Sequence, residues 1–138
     1  MSQERYPVLW IGQVAVVTLP AEIDVTNADI VREELLDVLN QGATLLIADL
    51  SKTSFCDSAG VSALVRTFRR ATAGTGAMRL VVSTQAVERV LSITGVDRLV
   101  ETFPSVAASL AGPGSQSSQT DQAQPDNAAA KADTDGGA

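Results

Sequence analysis

Asp57 and Ser58 are the side chains best placed to do chemistry, inside the run Ser54-Phe55-Cys56-Asp57-Ser58-Ala59-Gly60-Val61. A serine hydroxyl can cap a helix, accept a phosphoryl group or act as a nucleophile. The sequence contains no histidine, which excludes a Ser-His-Asp triad, a Cys-His pair and every histidine metal site. A lysine base for Ser58 would have to be Lys52 or Lys131, neither in a persuasive setting. An enzyme built on Ser58 is therefore disfavoured. Cys56 is the single cysteine, so no internal disulfide can form. At a strand end it reads as a small buried hydrophobe, with an intermolecular disulfide as the redox alternative. Gly74-Thr75-Gly76 lacks the Gly-x-x-x-x-Gly-Lys pattern and reads as a turn. No cofactor is expected.

The flanking elements set where Ser58 points. Before it, Thr44 to Leu50 is apolar except at its ends, as a central strand covered on both faces must be. After it, Val61, Leu64, Val65 and Phe68 recur at helical spacing, and the helix runs to about Ala73. Ser58 is thus expected to be the first cap of that helix, its hydroxyl near free backbone N–H groups. The same position tolerates a phosphate, because exposed amides and the helix dipole favour negative charge. Asp57 can orient the serine, contact a partner or simply occupy a solvated turn. Arg66, Arg69 and Arg70 read as a solvated face, and Phe55 and Phe68 as core.

Upstream, Val8 to Ile11 and Val14 to Leu19 read as strands joined by a Gly12-Gln13 hairpin. Thr26 with Asp29 resembles a capping box for a helix whose stripe is Ala28, Val31, Leu35, Val38 and Leu39, closed by Gly42. Downstream, Met78 to Val82 forms a strand. Ser83 or Thr84 caps a helix ending at Gly95, Arg98 to Thr102 is a further strand, and Pro104 to Leu110 a last helix. An opening hairpin followed by alternating strands and helices implies an α/β fold. It should have one mixed sheet of about five strands, with about four helices packed on it.

The chain has 138 residues, a one-domain length, and 45% of them are hydrophobic, enough for a core without staples. From Gly112 onward no Val, Ile, Leu, Met or aromatic residue occurs. Residues 1–111 are therefore expected to form the domain and 112–138 a disordered polar, acidic tail. The net charge of −6 divides equally between these two parts, leaving the folded part only mildly acidic. That charge argues against nucleic acid or an anionic membrane as main partner. Trp10 and Tyr6 are too few for a base-stacking platform. Residues 7–20 are apolar but shorter than the roughly 20 residues of a spanning helix. No signal peptide precedes them, so a cytoplasmic location is expected.

The strand Leu45-Leu46-Ile47-Ala48-Asp49-Leu50-Ser51 followed by Phe55-x-Asp57-Ser58-Ala59-Gly60 resembles the switch segment of bacterial anti-sigma factor antagonists, members of the STAS-domain family. Val87 to Val96 is similar to that family's third helix and turn; the opening hairpin and the closing Phe103 to Leu110 also fit. The resemblance spans about residues 6 to 111. It implies a single STAS domain and a partner switch. In such a switch the unmodified antagonist binds an anti-sigma factor and frees a sigma factor for transcription. The anti-sigma factor is itself a serine kinase of histidine-kinase-like ATPase fold, which phosphorylates the serine matching Ser58, and a serine phosphatase reverses the modification. Asp57, Ser58, Ala59, Gly60 and Ser62 would form the partner-binding surface, and Gly60 would keep it flat for close approach. The alternative reading is a STAS subunit of a membrane-associated ABC-type lipid transport complex. The STAS domain of an anion transporter is set aside, because no spanning segments precede it here.

Overall fold

The computed structural model describes residues 6–112; the expected tail lies outside them apart from Gly112. Gly12, at φ +61, makes the turn between β1 (Val8–Ile11) and β2 (Val14–Thr18), an antiparallel pair with Leu9 opposite Val16. This left-handed conformation suits glycine and closes the hairpin tightly. From β2 onward each pairing in the main sheet is parallel. Strand β4 (Leu45–Leu50) lies between β2 and β6 (Ala77–Val82), and β7 (Glu101–Phe103) forms the far edge, giving the order β1-β2-β4-β6-β7.

Parallel strands require crossovers, and three helices provide them: α1 (Ala28–Asn40), α2 (Ser58–Ala73) and α3 (Gln85–Thr94). Their apolar stripes meet alternate residues of the sheet in one core, where Leu35, Leu64 and Leu91 close over Ala15, Leu46 and Leu80. The opposite sheet face holds a smaller cluster of Val16, Ile47 and Val81, covered by Val106 of α5 (Val106–Ala111). The central strand is apolar on both faces because both are covered.

The mixed sheet and its opening hairpin match the α/β expectation, while several boundaries differ. A one-turn helix, α4 (Val96–Leu99), occupies the start of the segment expected to be a strand, so the described residues hold five helices rather than four. Gly95 at φ +83 ends α3 and redirects the chain, and the buried Val96 anchors the new turn. The last helix begins at Val106, after Ser105 rather than Pro104, since the Ser105 hydroxyl accepts the Ala108 N–H at 3.0 Å. The capping box on α1 is absent. Thr26 donates its hydroxyl to Asp24, and Asn27, which precedes the helix, gives its amide to the Glu22 carbonyl. Asp29 pairs with Arg32 instead.

Two short strands had no signal in the sequence: β3 (Glu22–Ile23) and β5 (Phe55–Cys56), which pair in parallel as a separate ribbon. Their importance is positional. They bring the segment before α1 against the segment before α2.

Candidate functional site

Asp57, not Ser58, caps α2. Its backbone is extended, its Oδ1 accepts the Gly60 N–H at 3.0 Å, and its carbonyl accepts the Val61 N–H. Both residue types cap helices well, but an ionised carboxylate makes the stronger bond to an amide. It also has a second oxygen. That Oδ2 accepts the Val25 N–H at 3.2 Å, across the gap between the two loops. One side chain therefore satisfies a helix terminus and ties it to the turn before α1.

Ser58 becomes the first residue of α2. Its side chain is exposed, and its hydroxyl has no hydrogen-bond partner among the described residues. The exchange of roles has a chemical consequence: the capping duty falls on the aspartate, which leaves the serine oxygen free. Ser62 and Arg66 follow at intervals of four, so all three share one exposed helix stripe.

The remaining expected site residues separate by burial. Ala59 is half-buried and Ser62 exposed. Gly60 turns inward: a Cβ there would stand 2.7 Å from Cys56 Sγ and 2.8 Å from Ile23 Cγ2. Its missing side chain thus lets α2 press onto the β3–β5 ribbon, rather than flattening an outer surface. Cys56 is buried in the core cluster, with its thiol directed toward the Asp57 carbonyl at 3.7 Å. Burial, and then the nearby Asp57 charge, push its pKa up to about 11. Phe55 is not core; it is 50% exposed, because the two-residue β5 turns it outward while Cys56 faces in.

The turn of residues 24–27 is a part of the site that the sequence reading did not single out. Asp24 accepts both the backbone N–H and the hydroxyl of Thr26, which lowers its pKa from the ordinary carboxylate value. The Asp24 N–H donates to Asn27 Oδ1 at 2.9 Å. This fixed turn presents Val25 with 77% of its surface exposed. The available signal was Asp24-x-Thr26-Asn27, a set of side chains that fold back on local backbone. Among the described residues no group of acidic or cysteine side chains could hold a metal, and no helix is long and apolar enough to cross a membrane.

The model of the STAS domain matches residues 7–109. The anti-sigma-B factor antagonist of Bacillus subtilis (strain 168) is 33% identical over 85 residues, which cover 62% of this chain and 77% of that protein. The crystal structure of an anti-sigma factor antagonist from Mycobacterium paratuberculosis superposes with a TM-score of 0.73 at 25% identity, covering 80% of this chain and 93% of its own. SpoIIAA in its unphosphorylated form shares the fold, with a TM-score of 0.66 at 22% identity, covering 81% of this chain and 99% of its own. The match to the family model takes in the opening hairpin, the Asp57–Ser58 helix start and the first turn of the closing helix, and the chain belongs to the STAS-domain family.

Proposed function

We propose that this chain is an anti-sigma factor antagonist whose binding is controlled by phosphorylation of Ser58. The single observation that carries this reading is the exposed, unbonded Ser58 hydroxyl at the start of α2, beside the carboxylate that caps the helix. The names of its relatives support the antagonist half of this reading. Unmodified, the chain docks on an anti-sigma factor and thereby releases a sigma factor for transcription.

In this cycle the chain is the substrate. An anti-sigma factor with serine kinase activity transfers the γ-phosphoryl group of ATP to Ser58 Oγ. The hydroxyl loses its proton and ADP departs. A serine phosphatase hydrolyses the ester and returns the hydroxyl. The catalytic groups belong to those partners, and no catalytic residue or cofactor is assigned to this chain.

The energetics follow from charge. A phosphate adds nearly two negative charges at neutral pH, next to the Asp57 carboxylate. Exposed to water at a helix N-terminus, those charges are tolerated. Inside a docked interface they must be desolvated against a like charge. A cost of roughly 4 kcal/mol weakens binding about a thousandfold, enough to turn a micromolar complex into a millimolar one.

The test begins with a pull-down on the full chain from native lysate, with peptide mass spectrometry across residues 53–66. A histidine-kinase-like ATPase in the eluate is the expected result, while an ABC-type ATPase would indicate a transporter subunit. Titration of the recovered anti-sigma factor should show Ser58→Ala binding like the wild type and Ser58→Glu binding far more weakly. Equal affinities for the two variants would remove the charge switch.

A further inference from the structure

The chain leaves β6 toward one face of the sheet and leaves β7 toward the other. After Val82 it turns into α3, whose Val87 and Leu91 join the main core. After Phe103 it passes Pro104 into α5, whose Val106 covers the opposite face. Neighbouring parallel strands whose connections diverge in this way open a crevice at their carboxyl ends, where open α/β sheets commonly hold ligands. Here the crevice has a volume of about 360 Å³, within the roughly 300–1,000 Å³ of small-molecule sites.

The buried Val82 and Leu91 give it an apolar floor, and Phe103 and Pro104 line it from the β7 side. Phe103 is already held in place. The Arg79 guanidinium stands 5.3 Å from its ring centroid, and a Cβ at Gly112 would collide with the ring, so a ligand orders little further there. Glu88 and Ser92, one turn apart on α3, Asp97 on α4 and Thr102 on β7 complete the lining. None of these four side chains has a hydrogen-bond or ion-pair partner among the described residues. No arginine or lysine is among the lining residues, so the two carboxylates set the charge of the crevice.

We propose that this crevice binds a small organic cation, an amine carrying an apolar body. The body lies over Val82, Leu91 and Phe103, and the ammonium group is drawn to Glu88 and Asp97. The apolar floor separates this arrangement from a merely solvated acidic patch, because it selects what is attached to the charge as well as the charge itself. The same carboxylates turn away phosphates, nucleotides and organic acids. No lining residue belongs to α2 or to the turn before α1, so the site is separate from Ser58 and stands without the function proposed for that serine.

The experiment titrates tryptamine into the full ¹⁵N-labelled chain and follows the backbone amide shifts. The amides of Leu91, Ser92, Asp97 and Phe103 should move together and saturate. Tryptophol, which has the same ring and a neutral hydroxyl, should bind roughly tenfold more weakly, and indole-3-acetate should leave the crevice unshifted. Glu88→Gln and Asp97→Asn should each weaken tryptamine about twofold to fivefold, as expected for exposed ion pairs. Both carboxylates lie in the first turn of their helices, where they also favour the dipole. Each variant's amide spectrum therefore serves to establish that it is folded before its affinity is read. Ser92→Trp, at an exposed position, fills the crevice and should abolish binding without a charge change. Glu33→Gln removes an exposed carboxylate from α1, outside the crevice, and should bind like the wild type. If Glu33→Gln weakens tryptamine as much as Glu88→Gln does, the attraction is the diffuse field of an acidic protein and the site falls. Equal affinities for tryptamine, tryptophol and indole-3-acetate, or no saturable shift at the crevice amides, would also overturn it.

Discussion

Cys56 lies two positions before Ser58, yet its surroundings make it a poor redox sensor. The thiol is buried, and its pKa is pushed up to about 11 by burial first and the Asp57 charge second. Relative to an ordinary value of 9.0, this cuts the thiolate fraction near neutral pH about a hundredfold. Alkylation by iodoacetamide at pH 8 should therefore be about a hundredfold slower in the folded protein than in urea; comparable rates would show the thiol to be accessible. The linkage to stability has a definite sign. The folded pKa lies above the unfolded value, so the unfolded chain releases its proton first as pH rises. The stability associated with the neutral thiol is complete below about pH 9 and declines toward pH 11. Cys56→Ala should lack that part of the alkaline loss, as read from urea midpoints across this range. The burial of Cys56 was legible from its place at a strand end. The exchange of capping duty between Asp57 and Ser58 was not, because either residue type caps well. What decides it is a bond to Val25, 32 positions away in the chain.

Among the elements, α5 is the one whose attachment depends most on a single side chain. Arg79 projects from β6 on the sheet face that α5 covers. Its Nη1 donates to the Ser109 carbonyl at 2.6 Å, its Nε pairs with Glu101 at 3.2 Å, and its guanidinium lies 5.3 Å from the Phe103 ring centroid. A cation beside the last carbonyls of a helix is favourable, and Arg offers several donors at once. Arg79→Met keeps much of the apolar stem but loses these bonds. It should cost about 1.5–3 kcal/mol in urea unfolding, the range for hydrogen bonds to charged groups. It should also expose residues 104–112 to earlier proteolysis than in the wild type. Unaltered stability and cleavage would show that α5 is held by Val106 packing alone. The periodic helices α1 and α2 could be read directly from apolar spacing, since their stripes are long enough to show a period. The β3–β5 ribbon could not, because two residues show no alternation and their pairing is set by distant chain. An arginine inside the apolar run of β6 was the one visible hint that something polar covers that face.

At the scale of the domain, residues 6–112 among themselves form two hydrophobic clusters, the sheet ladders and the Asp57 bond to Val25. Residues 113–138 contain no Val, Ile, Leu, Met or aromatic side chain and carry a net charge of −3. Such a segment can contribute little apolar burial, and it adds like charge to a domain that is itself net negative. Ending the chain after Gly112 should therefore shift the thermal midpoint by no more than about 2 °C, which at this domain size corresponds to less than about 0.5 kcal/mol. The Arg79 bond to the Ser109 carbonyl is retained in that truncation, so α5 keeps its anchor. Differential scanning calorimetry of the full and shortened chains measures the shift directly. A fall of more than about 5 °C, which approaches 1 kcal/mol, would mean that the polar segment packs on the domain. The unit that positions Ser58 would then be larger than the residues that build its sheet.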